Sequence, residues 1–306
     1  MIQWIKREHP DAMLDLADLQ YGLDMADPNT AAERCRGKDL IIHFGNLSHV
    51  EKSIPPGAGR RFLQNNLMST WNLLESCCAN RAKMIYISSS EVYGSAQERF
   101  LNDQGQMPEE HPLCPHSPYA ASKVAADRTC YAHWKTYGTD VRVVRPFNQF
   151  GPYQASEKLI PKIIETQLGG EPFPAEDGGT QSRDYLFVQD TARGIWAAQD
   201  LPAGEVVNIC YGEDFTVQWF AEKIHGILLQ IGKVDGKVPA WVSKGHRPGQ
   251  VQRLCGANQK AADKLGWHPV HSIEDAIEKT VHWFLGSGPI RPPDEGSIFL
   301  QTAGRT

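Results

Sequence analysis

Short apolar runs alternate along the chain with longer segments whose apolar positions recur at helical spacing. The runs DLIIHF (39–44), KMIYISS (83–89) and DVRVVRPF (140–147) are apolar for most of their length, which is typical of strands buried on both faces. Between them, 60–81 and 117–138 carry apolar residues every three or four positions, as amphipathic helices do. This alternation predicts an α/β fold with a doubly wound parallel sheet covered by helices on both faces.

The pattern changes after Gly151, where proline, glycine and charged residues become frequent and short strands are interleaved with helices. A return to the sheet is expected at VVNIC (206–210), because this run is again short and apolar. The chain is therefore expected to have three parts, namely a larger domain at 1–150 to which 184–210 returns, a smaller substrate-binding region at 151–183 and 211–290, and a tail at 291–306.

Composition narrows the range of partners. The chain has 306 residues, of which 41% are apolar and 22% charged, with a formal net charge of −5, and no basic stripe favours nucleic acid. No apolar run approaches the roughly 20 residues of a membrane helix. The seven scattered cysteines form no CxxC pair and the eleven histidines no HxxxH pair. We therefore expect a cytoplasmic protein with reduced thiols and no metal site.

Tyr119 and Lys123 lie four residues apart in PYAASK, so on a helix they share one face. A free tyrosine hydroxyl has a pKa of about 10. A lysine ammonium one helical turn away favours the phenolate and can make the tyrosine a usable base. An exposed tyrosine beside a solvated lysine has the same spacing, so this pair alone does not indicate a function.

Further motifs surround the pair in a fixed order. SSSEVYG (88–94) precedes it, RPFNQFGPYQ (145–154) follows it, and RDYLFVQDTARGI (183–195) and RPGQVQRL (247–254) come later. With these motifs the chain resembles the extended short-chain dehydrogenase/reductase family, in particular its nucleotide-sugar epimerases and dehydratases. The resemblance runs from about Asp24 to Phe284, which is nearly the whole chain.

The resemblance implies a Rossmann-like sheet in the first domain, bound NAD, and a hydride that passes to and from a nucleotide-diphosphate sugar. By position, Tyr119 is the base that takes the sugar hydroxyl proton, and Lys123 tunes it and holds the nicotinamide ribose. Ser89 hydrogen-bonds the reacting oxygen. The residues expected to contact the cofactor are Asp24, Met25, Phe44, Gly45, Asn46 and Asn66, together with Ser89, Tyr119 and Lys123.

Glu91 separates the possible reactions. A 4-epimerase needs only the hydroxyl, the tyrosine and the lysine, whereas a 4,6-dehydratase also needs a carboxylate that removes the C5 proton and a proton donor beside it. In dehydratases these groups occupy the two positions before Val-Tyr-Gly, here Ser90 and Glu91. The dTDP-glucose dehydratases have aspartate where Ser90 stands, and Ser-Glu resembles GDP-mannose dehydratases and UDP-glucuronate decarboxylases. Glu91 could instead cap the following turn or face solvent.

The later motifs look more like those of dTDP-glucose 4,6-dehydratases than those of the decarboxylases, and we expect an NAD-dependent nucleotide-sugar 4,6-dehydratase. The rivals are a 4-epimerase, a UDP-glucuronate decarboxylase-like enzyme, and a non-catalytic sugar-nucleotide-binding protein that lacks NAD. Relatives usually pair through the helices at 60–78 and 117–137, so a homodimer is expected. The residues expected to contact the substrate are Ser48, Asn148, Lys158, Leu159, Arg183, Asn208, Arg247 and Arg253.

The N-terminal strand and glycine loop that are usual in this family are missing from this sequence. Relatives begin with a central strand and a glycine loop that holds the NAD diphosphate. Here MIQWIKREHPDA looks like the second half of the first helix, and the first glycine is Gly22. We expect a start inside a longer natural protein, the alternative being a divergent chain that does not bind NAD in the usual way. The absent strand is expected to leave a gap in the sheet.

Overall fold

The structure is a computed structural model that describes residues 1–18, 21–45, 47–238, 240–245, 247–287 and 297–301. The α-helices are α1 (Ile2–Glu8), α2 (Pro28–Cys35), α3 (Val50–Ser53), α4 (Ala58–Asn80), α5 (Pro118–Tyr137), α6 (Leu159–Leu168), α7 (Val188–Ala197), α8 (Val217–Gln230), α9 (Gln259–Leu265) and α10 (Ile273–Ser287). The strands are β1 (Met13–Ala17), β2 (Leu40–His43), β3 (Lys83–Ile87), β4 (Val141–Pro146), β5 (Asn148–Phe150), β6 (Phe173–Ala175), β7 (Ser182–Phe187), β8 (Val206–Ile209), β9 (Asp214–Thr216), β10 (Trp241–Ser243), β11 (Arg253–Leu254) and β12 (Ser297–Gln301). None of these helices is long and apolar enough to cross a membrane.

A six-stranded sheet in the order β1-β12-β2-β3-β4-β8 forms the centre of the larger domain. Neighbouring strands from β2 to β8 run parallel, with His43 opposite Tyr86 between β2 and β3. Helices α4 and α5 cover one face and pack against each other along their lengths. The predicted α/β class with a mostly parallel, doubly covered sheet is therefore confirmed.

Strand β12 lies inside this sheet and runs antiparallel to both neighbours, β1 and β2. Ile298 and Leu300 point into the core on one face, and Phe299 is fully buried on the other. The expectation of a tail at 291–306 is thus wrong for 297–301, and the expected gap beside β2 is filled by this strand. Successive side chains of the short apolar run SIFLQ enter two different hydrophobic cores. The glycines and prolines around this run made it difficult to predict as a strand.

The second part of the chain forms a smaller layer beside the carboxyl end of the large sheet. Strands β5, β7 and β11 form a small sheet, and β9 pairs with β7. Helices α6, α8 and α10 bury their apolar faces against it around Phe220 and Ile277. Strand β8 lies at the edge of the large sheet beside β4, whereas 184–187, which we expected to return with it, belong to β7 in the small sheet.

Local sequence sets the start and end of α5, the helix that carries Tyr119. The Ser117 hydroxyl accepts a hydrogen bond of 3.1 Å from the Ala120 N–H and caps the helix, and Pro118 occupies its first position. Gly138 ends the helix in the left-handed conformation at φ 69°, which suits glycine. Tyr119 therefore lies in the first turn of α5, close to the carboxyl end of the parallel strands.

Candidate active site

The serine-rich segment after β3 forms a tight turn that presents Glu91. Residues Ser90–Tyr93 make one turn of 3₁₀-helix, and the Ser89 hydroxyl caps it by accepting a 3.2 Å hydrogen bond from the Glu91 N–H. Ser90 is buried, whereas Ser89 and Glu91 are half-buried. The turn therefore holds Ser90 and Glu91 at the carboxyl end of a central strand, where α/β enzymes place their ligands.

The tyrosine and lysine singled out in the sequence lie beside this strand end. Lys123 Nζ donates a hydrogen bond of 2.6 Å to the main-chain oxygen of Ile87, the last residue of β3. The Tyr119 N–H donates to the Ser53 hydroxyl at 3.2 Å, and its ring meets Phe62 edge-on. Both Tyr119 and Lys123 are buried. The structure thus brings the YxxxK pair to the end of the strand that leads into Ser89 and Glu91.

Two arginines that are expected to bind substrate, Arg183 and Arg247, interact electrostatically with each other, and Arg183 also interacts with Glu91. Arg183 is buried, and burial lowers the pKa of its guanidinium while the nearby Glu91 carboxylate opposes this effect. Its Nη1 donates to the Ser182 and Gln252 oxygens, at 2.8 and 3.2 Å. Because Arg247 also acts on the Arg183 charge, Glu91, Arg183 and Arg247 form one electrostatic group.

Two contacts join segments that carry residues expected to bind substrate. His49 Nε2 lies 3.8 Å from Glu157 Oε1, and Arg247 Nη1 lies 3.4 Å from Glu51 Oε1. The first contact joins the segment that contains Ser48 to the start of α6. Other expected substrate residues border these segments and are half-buried, namely Ser48, Asn148, Lys158 and Leu159.

Three residues that were expected to contact a ligand are buried or bind other residues of the protein. The Asn208 side chain is fully buried and its amide nitrogen donates to the Met107 oxygen at 3.1 Å, so it faces the interior. Arg253 donates hydrogen bonds from Nε and Nη2 to the Asp214 carboxylate, at 3.1 and 2.8 Å, so its guanidinium is already paired with a carboxylate of the protein. Asn66 is fully buried as well. The expected contacts of Asn208 and Arg253 with substrate, and of Asn66 with the cofactor, stay predictions.

Asn66 has an architectural position between the loop after β2 and α5. Its Oδ1 accepts from the Leu47 N–H at 2.8 Å, and its Nδ2 donates to the Ser122 hydroxyl at 2.8 Å. Phe44 and Gly45, just before this contact, are half-buried at the end of β2. Asn46 lies outside the described residues. Asn66 thus holds in place the segment where the cofactor is expected.

The segment expected near adenine is partly occupied by internal contacts. Met25 is buried in the core under α4, and the Asn72 amide donates to its main-chain oxygen at 3.1 Å. Asp24 is half-buried, and its carboxylate accepts a 2.8 Å hydrogen bond from the Ala26 N–H. Of the two residues, only Asp24 has a side chain that extends to the surface of this segment.

The strand end fits the nicotinamide half of NAD. The Ser88 hydroxyl is buried beside the Lys123 anchor and has no hydrogen-bond partner, so it offers an unmet polar group to a ligand. Lys123 and Tyr119 lie within reach of the same strand end. On the diphosphate side, the strand beside β2 is β12, which runs antiparallel to β2 and is followed by no glycine loop and helix in the described residues. The fit therefore rests on Ser88, Tyr119 and Lys123.

A buried network of Tyr93, Asp127 and Arg145 lies behind this site and was not predicted. The sequence held one usable signal for it. Arg145 stands inside RVVRPF, a run that otherwise reads as a fully buried strand, and a buried arginine requires a partner. The identity of the partners, Asp127 on α5 and Tyr93 on the turn, depends on the tertiary arrangement.

The fold and the site together define a class of protein. A mostly parallel sheet, a helix with Tyr119 and Lys123 against β3, and a serine-rich turn after that strand are the features of the epimerase and dehydratase branch of the short-chain dehydrogenase/reductases. Within this class, the chain belongs to the family described as GDP-mannose 4,6 dehydratase, which it matches over residues 18–280.

Individual relatives agree with this assignment. The chain is 34% identical to a dTDP-glucose 4,6-dehydratase of Streptomyces niveus over 291 residues, covering 92% of this chain and 82% of the relative. It is 33% identical to the dTDP-glucose 4,6-dehydratase of Neisseria meningitidis serogroup B over 301 residues, covering 90% and 82%. The dTDP-glucose 4,6-dehydratase of Streptomyces venezuelae, solved with NAD bound, superposes with a TM-score of 0.76 at 33% identity, covering 86% and 78%.

Proposed function

We propose that this protein is an NAD-dependent nucleotide-sugar 4,6-dehydratase. The observation that carries the proposal is the position of Glu91, whose turn directly follows the strand to which Lys123 is tethered. A carboxylate there is what a dehydratase requires beyond the residues of an epimerase. The curated relatives with this activity, at 33–34% identity over most of the chain, support the same reaction.

Each of the candidate catalytic residues has its own step in the proposed reaction. Tyr119 takes the proton from the C4 hydroxyl, with Lys123 one turn away favouring the phenolate and Ser89 holding the oxygen. NAD, held by Tyr119 and Lys123 at the end of β3, would supply the hydride acceptor for C4 and the hydride donor for C6. Glu91 removes the C5 proton, which the C4 ketone has made acidic. Ser90, buried beside Glu91, holds the C6 hydroxyl, which leaves as water with the proton that Glu91 took from C5. C5 then takes a solvent-derived proton through Glu91 when the hydride returns to C6.

Arginine supplies the contacts for the nucleotide diphosphate. Arg247 is held between Glu51, Glu176 and Gln250, with its Nη2 donating to the Gln250 side chain at 2.6 Å. A guanidinium at this place can bind phosphate oxygens in a bidentate manner. Arg183 supports the site from behind, because its N–H groups already bind main-chain oxygens.

Turnover in heavy water tests the proposal. The purified protein is incubated with NAD and dTDP-glucose in deuterium oxide, and the product is examined by NMR. We expect a 4-keto-6-deoxy sugar with deuterium at C5, because Glu91 exchanges the abstracted proton with solvent. A 4-epimer without deuterium at C5, or no product at all, overturns the proposal.

We also propose that the protein is a cytoplasmic homodimer. The seven cysteines are free thiols, which suits a reducing compartment. Helix α4 exposes Leu63 and Met68, at 42% and 45%, beside α5. Exposed large apolar side chains on a helix favour its association with a second copy of the same helix. The pairing of α4 and α5 with their copies is the arrangement that the family resemblance implies.

A further inference from the structure

A buried ion pair connects the two elements that carry the candidate catalytic residues. Arg145 in β4 binds Asp127 of α5 with Nε and Nη2, at 2.9 and 3.1 Å. Its Nη1 donates to the hydroxyl oxygen of Tyr93 at 2.9 Å. All three side chains are buried, so water does not replace a lost partner at low cost.

Tyr93 fixes the turn that presents Glu91. It is the last residue of the Ser90–Tyr93 turn, two positions after Glu91, and its hydroxyl donates to Asn208 Oδ1 at 2.7 Å. Burial raises the pKa of Tyr93 in spite of the Arg145 charge, so this hydroxyl keeps its proton. The next residue, Gly94, has a φ of 67°, and a Cβ there would collide with the main-chain oxygen of Cys114. The turn is therefore anchored at its C-terminal end.

Asp127 fixes the other element. It lies one helical turn after Lys123 and two after Tyr119, on the buried side of α5. Burial alone would raise the pKa of Asp127, but the charges and hydrogen bonds of Arg145 and Arg128 outweigh it and lower the pKa. Asp127 is therefore ionised at neutral pH and holds α5 to the guanidinium of Arg145.

We propose that Arg145 is a positioning residue that sets the place of Glu91 relative to Tyr119 and Lys123. It acts through Tyr93 on the turn and through Asp127 on the helix. In the dehydratase reaction, residues on the helix promote oxidation at C4, and Glu91 on the turn removes the C5 proton. One guanidinium thus aligns the groups for two successive steps, and the inference rests on the dehydratase activity proposed above.

Two substitutions test separately the connection of Arg145 to the turn and its connection to the helix. Tyr93→Phe detaches the turn from Arg145, and Asp127→Asn weakens the hold on the helix. With dTDP-glucose deuterated at C5 as the probe, the readout is the isotope effect on kcat. We expect Tyr93→Phe to lower kcat about 10- to 100-fold and to increase the isotope effect, because misplacement of Glu91 makes C5 proton removal limiting. Asp127→Asn is expected to lower kcat and decrease the isotope effect, because C4 oxidation becomes limiting.

Thr280→Val is the matched control. Thr280 is buried in α10, and its hydroxyl donates to the Ala276 oxygen at 2.6 Å, so the variant loses one buried hydrogen bond outside the network. Tyr93→Phe loses two, the one from Arg145 and the one to Asn208. If Tyr93→Phe changes kcat no more than this control, or lowers kcat without increasing the isotope effect, the positioning role is overturned. The Tyr93→Phe result decides the matter alone if Asp127→Asn does not fold. Wild-type protein that incorporates no deuterium at C5 from heavy water overturns the dehydratase proposal and this inference together.

Discussion

Lys123 Nζ lies 2.6 Å from the main-chain oxygen of Ile87, so the first turns of α5 are tied to the last residue of β3. The hydrogen bond is buried, and it places the ammonium at the strand end from which Ser89 and Glu91 follow. The same nitrogen lies 4.9 Å from the centre of the Tyr86 ring. The position of Lys123 is therefore set by β3 as well as by its own helix.

Replacement of Lys123 tests whether this placement serves catalysis. We expect Lys123→Met to lower the rate of C4 oxidation about 100- to 10,000-fold, because the charge that favours the Tyr119 phenolate is lost. Single-turnover measurement of sugar oxidation reports this step. Lys135→Met, near the exposed end of the same helix, is the control and should retain wild-type rates. Equal rates for the two variants would contradict the assigned role.

Glu91→Gln distinguishes the dehydratase from the epimerase. The amide cannot accept the C5 proton, so we expect dehydration to fall about 100- to 10,000-fold while C4 oxidation continues. Product analysis by NMR and single-turnover oxidation measure the two quantities separately. Glu98→Gln, on the exposed turn that follows, should behave like wild type. Near-normal turnover of Glu91→Gln would instead favour an epimerase.

His43 makes stability depend on pH. This last residue of β2 is fully buried, and burial, assisted by the Lys123 charge, lowers its pKa from 6.5 to about 3. Between these values the unfolded chain binds more protons than the folded one, so the free energy of unfolding rises with pH by up to about 1.4 kcal/mol per pH unit. This contribution is complete above pH 6.5 and is lost as pH falls towards 3.

The measurement is urea unfolding of wild type and His43→Gln across this range. We expect the difference between their free energies of unfolding to shrink as pH falls, because the variant lacks the titrating group. Asp184 acts in the opposite direction, since burial raises its pKa to about 7 although three main-chain N–H groups bind it. It is present in both proteins and cancels in the difference. Parallel pH profiles would show that His43 does not titrate in this way.

Much of the fold and site follows from local sequence, and the rest depends on long-range pairing. The short apolar runs that became β2, β3 and β4 are typical of strands in a sheet that is covered on both faces. The YxxxK spacing and the turn after β3 likewise fix local geometry. The place of β12 depends on pairing between 297–301 and strands more than 200 residues away. The internal partners of Asn208 and Arg253 could not be predicted, because a polar side chain looks the same in sequence whether it binds a ligand or another residue.

The fit of β12 into the sheet predicts a large stability effect for its central residue. Phe299 is fully buried among the side chains under α4, so we expect Phe299→Ala to reduce the free energy of unfolding by about 3–5 kcal/mol. Met13→Ala is the control, because Met13 is 61% exposed on the neighbouring β1 and should cost under about 0.5 kcal/mol. Urea unfolding measures both. Equal stability of the two variants would contradict insertion of β12 between β1 and β2.

The proposed homodimer depends on the apolar face of α4. We expect wild-type protein to sediment as a dimer, and the double variant Leu63→Arg with Met68→Arg to sediment as a monomer, because two like-charged guanidinium groups from each copy would face each other in the interface. Leu229→Arg is the control, since Leu229 is 46% exposed on α8, away from α4. This variant should keep the wild-type sedimentation coefficient. A monomeric wild type, or a double variant that remains dimeric, would show that this face does not form the interface.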